Sequence, residues 1–236
     1  MDKLFTFQEL QAIVSTLRGD HGCPWDKAQT HESIKITTLE EAYEVNQAVT
    51  DLTETNNPSN LKEELGDLLL QIMLHSQIAE ENAEFTLEEV IDGIARKMIR
   101  RHPHVFSQKS YASLEEQQAD WDAIKKQEHG NTISPQEELS QIPAAFPALV
   151  RSQKTAKKAM EYGFLSPEQE DIFKAMLESI VSLQISAANP DDQEAFTSKL
   201  GKALFSITWL AAKYGIPSEI ALTKETEEFI KKQKNL

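Results

Sequence analysis

Cysteine is nearly absent: Cys23 is the only one in 236 residues. A single thiol excludes an internal disulfide framework and fits a reducing compartment. Long hydrophobic runs are absent too, since no apolar stretch approaches the roughly 20 residues of a membrane span. The opening MDKLFTFQEL has no signal-peptide core, so a cytoplasmic protein that does not associate with membranes is expected. Positive charge is scarce, with 24 Lys and Arg against 38 Asp and Glu, a net −14. A phosphate backbone demands a basic face, so nucleic acid is not expected as a partner. A small anionic ligand remains open if a local basic cluster or a metal receives it. There is no Walker A loop and no G-x-G-x-x-G.

Strand signals are nearly absent, and the eight glycines and nine prolines fall mostly between periodic segments. The chain reads as all-α. Helices are expected near 6–18, 31–51, 61–82, 87–101 and 114–128, then 146–161, 167–188, 192–213 and 218–234. Thr6 with Glu9, Thr86 with Glu89 and Ser113 with Glu116 read as capping boxes, and Asn60 with Glu63 as a variant. Pro167 after Ser166 reads as a first-turn proline. Leu61, Leu65, Leu68, Leu69, Ile72 and Met73 recur at helical spacing and form an apolar stripe. Apolar residues are 40% of the chain, enough for a globular core.

Segment 129–145 is poor in large apolar residues and reads as a linker between a domain at 1–128 and a second at 146–236. A faint repeat relates the two. ELGDLLLQI in the first half and KLGKALFSI in the second share an apolar and glycine frame. The acids are not shared. Glu178, Ser179 and Ser182 stand opposite Glu40, Glu41 and Glu44, and Lys199 and Lys202 opposite Glu64 and Asp67. The frame persists without the acids, so folding does not need them.

Five carboxylates carry the chemistry. Glu40, Glu41 and Glu44 lie in LEEAYE, and Glu64 and Asp67 in EELGD. A helix turns about 100° per residue, so Glu40 and Glu44 share a face, Glu41 and Glu44 nearly do, and Glu64 and Asp67 share a face on a second helix. Two acidic faces can meet only if a divalent ion neutralises them. Without such a partner, a Glu-rich run is a solvated helix face. All-oxygen ligation selects Mg²⁺, Mn²⁺ or Ca²⁺ over zinc. A di-iron bundle wants Glu-x-x-His on two helices, and no histidine falls at i+3 from Glu40, Glu41 or Glu44. Gly66, between the α-helical acids Glu64 and Asp67, reads either as a close packing point or as room for a ligand.

Lys97, Arg100 and Arg101 share one helix face in RKMIRRHPHVF. Arg suits phosphate because its planar fork binds two oxygens. The alternative is a helix C-terminus whose dipole the cations stabilise, with Pro103 as the stop. Carboxylates, a metal and a basic face together describe a polyphosphate site. His21, His31, His75, His102, His104 and His129 show no ligand spacing, His102 and His104 reading as turn residues around Pro103. Cys23 has no base partner in the sequence and reads as a structural or incidental thiol.

GCPWDKAQTHESI, LEEAYE, KEELGDLLLQI and RKMIRRHPHVF, in that order, resemble the MazG family of nucleoside triphosphate pyrophosphohydrolases. The family pattern E-E-x-x-E, a gap, then E-x-x-D is met by Glu40, Glu41, Glu44, Glu64 and Asp67. The resemblance covers residues 6–128 closely and extends more weakly to the end. It implies two tandem MazG-like helical-bundle repeats, the second degenerate, with Mg²⁺ as cofactor and Mn²⁺ as a possible substitute. It implies hydrolysis of a nucleoside triphosphate between the α and β phosphates by the N-terminal repeat, and a homodimer. Glu41, Glu44, Glu64 and Asp67 match metal ligands, and Glu40 lines the same site. Lys97, Arg100 and Arg101 match phosphate-facing positions, and Lys125 a further basic one. Glu40 or Glu44 is the expected base. Trp25, Asp26 and Lys27 are expected near the base or sugar, Trp25 as a stacking face or as a core residue. The alternatives are a narrower all-α enzyme acting on dUTP or a phosphoribosyl nucleotide, and a non-catalytic nucleotide-binding regulator.

Overall fold

A computed structural model of the chain describes residues 3–128, 133–187 and 192–234. Among these residues every regular element is a helix: α1 Phe7–Arg18, α2 Pro24–Lys27, α3 Lys35–Thr55, α4 Ser59–Glu81, α5 Leu87–Arg101, α6 Pro103–Phe106, α7 Leu114–Glu128, α8 Pro135–Ser140, α9 Ala148–Glu161, α10 Gln169–Ala187, α11 Gln193–Tyr214 and α12 Ser218–Lys234. The all-α expectation holds. Two compact units divide the chain, Met1–Lys125 and Lys126–Leu236.

Local chemistry sets most helix starts. Thr6 Oγ1 accepts from the Glu9 amide at 3.3 Å while Glu9 accepts from the Thr6 amide at 2.8 Å. Thr86 and Glu89 repeat that arrangement at 3.3 and 2.8 Å. Each satisfies two orphan donors of a first turn. Ser113 accepts from the Glu116 amide at 3.2 Å, but Glu116 reaches back to the Ala112 amide instead. Asn60 is not a cap. α4 starts at Ser59, whose amide donates to Asn57 Oδ1 at 3.0 Å. α3 begins at Lys35, four residues later than the sequence pattern suggests, because residues 31–34 form a turn.

In the first unit Val14, Ile34, Met73, Leu74, Ile78 and Leu87 form the core, with Leu10, Leu69 and Leu70 against it. This core gathers the C-terminal half of α4, α1 and the start of α5. The N-terminal half of the α4 stripe is more open, with Leu65 at 50% exposure and Ile72 at 44%. α3 and α4 form the principal helix pair, joined through Asn56 in the left-handed conformation.

In the second unit Ala156, Ile172 and Trp209 are the buried centre, and the Trp209 indole donates to the Ser166 carbonyl at 3.2 Å. α10 and α11 are its principal pair. Of the expected linker, residues 129–132, His129 included, lie outside the described residues. The remainder carries α8, whose Glu138 pairs with Lys158 of α9. Ile142 is buried. Among the described residues no helix is long and apolar enough to cross a membrane.

Candidate functional site

α3 and α4 bring their acids together. One carboxylate oxygen from each of Glu41, Glu64 and Asp67 lies within 4.8 Å of the other two. Glu41 and Glu64 are half-buried, Asp67 is exposed, and Glu44 and Glu40 flank them on the exposed side. Two i, i+3 pairs, one on each helix, therefore converge across one seam, as helix periodicity demands when those faces meet.

The electrostatics follow from the crowding. The Glu41 carboxyl is raised above its ordinary 4.5, first by burial, then by the Glu44 and Asp67 charges and a hydrogen bond to Glu44, with Glu40 the smallest contributor. Glu64 is raised by burial first, then by the Glu44 charge, a hydrogen bond to Glu44, and the Asp67 and Glu63 charges. Glu44 thus touches both α3 and α4 members, whereas Glu40 acts only at the edge. Like charges this close disfavour simultaneous ionisation, and a cation removes the conflict. The donor set is all oxygen and anionic, which fits a hard divalent ion such as Mg²⁺ or Mn²⁺. A side chain at Gly66 would meet no atom within 4 Å, so Gly66 is not a packing point inside this unit.

The basic residues gather around α5 and α7. The Arg101 guanidinium stands 5.4 Å from the centre of the Trp121 ring, and Lys125 Nζ 4.6 Å from it. α5 and α7 therefore meet through Arg101 on the Trp121 indole, which Lys125 of α7 also faces. Trp121 was not singled out in the sequence, although its place four residues before Lys125 puts both on one helix face. Lys97 and Arg100 lie on the exposed face of α5. Next to this group, Tyr111 donates to Asp120 at 2.5 Å and Lys109 to the same carboxylate at 2.5 Å. The Asp120 acceptor pushes the Tyr111 hydroxyl up to about 12. Pro103 ends α5 and opens α6, with His102 at the junction as expected.

The CPWD segment is held by Arg18. Buried on α1, Arg18 forms a two-pronged pair with Glu81 of α4 at 2.8 and 2.9 Å. It also donates to the carbonyls of Asp26 at 2.5 Å and Gln29 at 3.2 Å. These bonds hold Glu81 below its ordinary value and fix the turn after α2. Trp25 is 67% exposed, so it is not a core residue and offers its ring to solvent. Lys27 pairs with Asp20 at 2.8 Å. Among the described residues no hydrogen bond or ion pair joins Trp25, Asp26, Lys27, Lys97 or Lys125 to the carboxylates.

In the second unit, Ser179 Oγ meets Ser206 Oγ at 3.0 Å across α10 and α11. Lys199 is half-buried and Lys202 exposed. Protonated lysines offer no lone pair to a cation.

Comparison with known proteins agrees with this arrangement. The family model described as the MazG nucleotide pyrophosphohydrolase domain matches residues 29–106, which include all five acids and Lys97, Arg100 and Arg101. The chain is 36% identical to the nucleoside triphosphate pyrophosphohydrolase/pyrophosphatase MazG of Thermotoga maritima, over 98% of this chain and 85% of that protein. It is 35% identical to the nucleoside triphosphate pyrophosphohydrolase of Escherichia coli (strain K12), over 93% of this chain and 82% of that one. It is also 37% identical to the uncharacterized protein YabN of Bacillus subtilis, over 94% of this chain and 44% of that one. With its helical fold, the matched domain and two pyrophosphohydrolases matched over 85% and 82% of their length, this chain belongs to the MazG family.

Proposed function

We propose that the protein hydrolyses nucleoside triphosphates to the monophosphate and pyrophosphate in a Mg²⁺-dependent reaction, and that its first unit carries the activity. The convergence of Glu41, Glu64 and Asp67 within 4.8 Å carries this reading. Glu41, Glu44, Glu64 and Asp67 hold the cation, for which Mn²⁺ can substitute. When bound, it supplies charge neutralisation for the triphosphate and acidifies water near it.

The protein's own groups do the rest. Glu44 contacts both α3 and α4 acids and is placed to take the proton from the attacking water; Glu40 is the outer alternative. The water oxygen bonds to one phosphorus of the α–β bridge, and the bridging oxygen leaves with the other. Lys97, Arg100, Arg101 and Lys125 receive phosphate charge, and Trp121 holds Arg101 and Lys125 in register. The exposed Trp25 ring stacks on the base, with Asp26 and Lys27 beside it.

The second unit reads as a degenerate copy of the first. α1, α3, α4 and α5 have 12, 21, 23 and 15 residues, and α9 to α12 have 14, 19, 22 and 17. A homodimer accounts for the apolar residues left uncovered on both helix pairs: Leu39, Tyr43, Leu65 and Ile72 in the first, Leu177, Val181, Leu200 and Leu204 in the second. Its mass in light scattering tests that part.

Glu41→Gln and Asp67→Asn, each assayed for pyrophosphate release with Mg²⁺ over a panel of triphosphates, test the activity. Undiminished turnover in both rejects the site. Release from dUTP alone favours the narrower enzyme, and triphosphate binding without release favours a regulator.

A further inference from the structure

Two histidines outside the acidic site form a continuous hydrogen-bonded chain with it in view. His31 Nδ1 and His75 Nδ1 are 2.8 Å apart, with the rings nearly parallel at 8° and their centres 5.1 Å apart. His75 Nε2 lies 3.1 Å from Thr38 Oγ1, and Thr38 donates to the Ile34 carbonyl at 3.0 Å. His31 Nε2 faces a Glu84 oxygen at 3.6 Å. The chain crosses the turn before α3, the first turn of α3, α4 and the loop after its end.

The proton positions can be assigned by elimination. Thr38 gives its own proton to Ile34, so the proton in the Thr38–His75 contact belongs to His75 Nε2. Nδ1 of a neutral His75 is then a bare acceptor, and His31 Nδ1 donates to it. A proton on His31 Nε2 would complete the ion pair with Glu84. The chain breaks when His75 takes a second proton, because two N–H donors would then face each other. Burial, and next the His31 charge, hold His75 below the usual histidine range and keep that acceptor available. Nearby in sequence, Lys35 is paired with Glu32, and Glu81 of α4 with Arg18.

Thr38 and Glu41 are at i, i+3 on α3. Glu64 and His75, eleven apart on α4, align within about 20°. The histidine chain and the acids therefore lie along one seam, one turn apart on α3 and three turns, about 16 Å, apart on α4. We propose that His31 and His75 are positioning residues for the acidic site: the single proton between their Nδ1 atoms clamps the turn before α3 onto α4 and, through the first turn of α3, holds Glu41 and Glu44 opposite Glu64 and Asp67. This rests on the cation-binding reading above. Groups hydrogen-bonded to metal ligands commonly change metal affinity by about 10–100-fold, and a clamp acting along the helix belongs at the low end of that range.

The experiment measures Mn²⁺ binding by calorimetry on the whole chain, with His75→Leu, His75→Asn and Thr38→Val. His75→Leu keeps the buried volume apolar and is expected to weaken Mn²⁺ roughly tenfold without lowering the metal-free melting temperature. His75→Asn restores a side-chain acceptor near the Nδ1 position and is expected to recover most of the affinity; Thr38→Val should show a smaller loss. Ring ¹⁵N spectroscopy should find His75 as the Nε2–H tautomer, with a His31 Nδ1–H signal that vanishes in His75→Leu. Unchanged Mn²⁺ affinity in both His75→Leu and Thr38→Val, or the opposite tautomer, overturns the clamp alone. No Mn²⁺ binding by the unaltered protein overturns the reading of the acids and the clamp with it.

Discussion

Each unit of this chain rests on a pair of long helices, and the two seams are chemically opposite. In the first, Glu41, Glu44, Glu64 and Asp67 crowd together, and Glu41 and Glu64 are driven above their ordinary values. In the second, Ser179 and Ser206 share a neutral hydrogen bond at 3.0 Å, and α11 carries Lys199 and Lys202. Helix pairing does not require the acids, and in the metal-free state they oppose it. Their presence in one seam and not the other separates what the fold needs from what the chemistry needs.

The largest expected effect breaks the comparison at its centre. Glu41→Gln with Asp67→Asn should lower Mg²⁺-dependent pyrophosphate release by about 10²-fold or more, several kcal/mol of charge stabilisation. Ser179→Ala with Lys199→Ala in the second unit should leave the rate unchanged. Equal losses in both pairs would mean that the second seam is also catalytic.

A smaller effect concerns the cations. Trp121→Ala removes the ring that holds Arg101 and Lys125, and KM for a triphosphate should rise roughly tenfold, as expected for lost cation–π contacts of about 1–2 kcal/mol. Lys224→Ala, on α12 of the second unit, should leave KM unchanged. Steady-state kinetics on both variants measures the contrast.

The pH dependence of metal-free stability sharpens the electrostatic side. Glu41 and Glu64 have raised values, so the folded chain keeps protons that the unfolded chain has released. Stability should therefore fall as pH climbs from about 4.5 through the raised values, and Mg²⁺ should cancel the fall. Glu81 runs the other way. Arg18 holds it low, so its contribution is complete above its unfolded value and is lost as pH falls through the folded one. Melting curves across pH for Glu64→Gln and Glu81→Gln should each remove one arm.

The smallest effect compares two glycines. Gly66 lies within α4 and Gly201 within α11, and a side chain at either meets no atom within 4 Å. Alanine at each should add about 1 kcal/mol of helix stability, read by chemical denaturation. If substrate covers the Gly66 face of α4, Gly66→Ala should also lower turnover, and Gly201→Ala should not.

Much of this was legible along the chain. Thr6 with Glu9 and Thr86 with Glu89 mark their helices because a cap is a contact between residues three apart. Glu41 with Glu44 and Glu64 with Asp67 are visible for the same reason. The start of α3 was misplaced because HESI has helical composition, while the His31–His75 contact and burial of Ile34 hold those residues in a turn. α8 was hidden in a stretch poor in large apolar residues, where the Ser134–Glu137 box was the available signal. Trp121 went unnoticed because its significance depends on Arg101 arriving from another helix.

The sequence by itself determined the helical class, the family and the identity of the acids, since these depend on composition and on spacings within single helices. Only the tertiary structure decided that Glu41, Glu64 and Asp67 share one place, that Trp25 faces solvent, and that His31 meets His75 across 44 positions of chain. Local spacing specifies which residues share a helix face. Which faces meet depends on how the whole apolar stripe is buried, and no short segment carries that information.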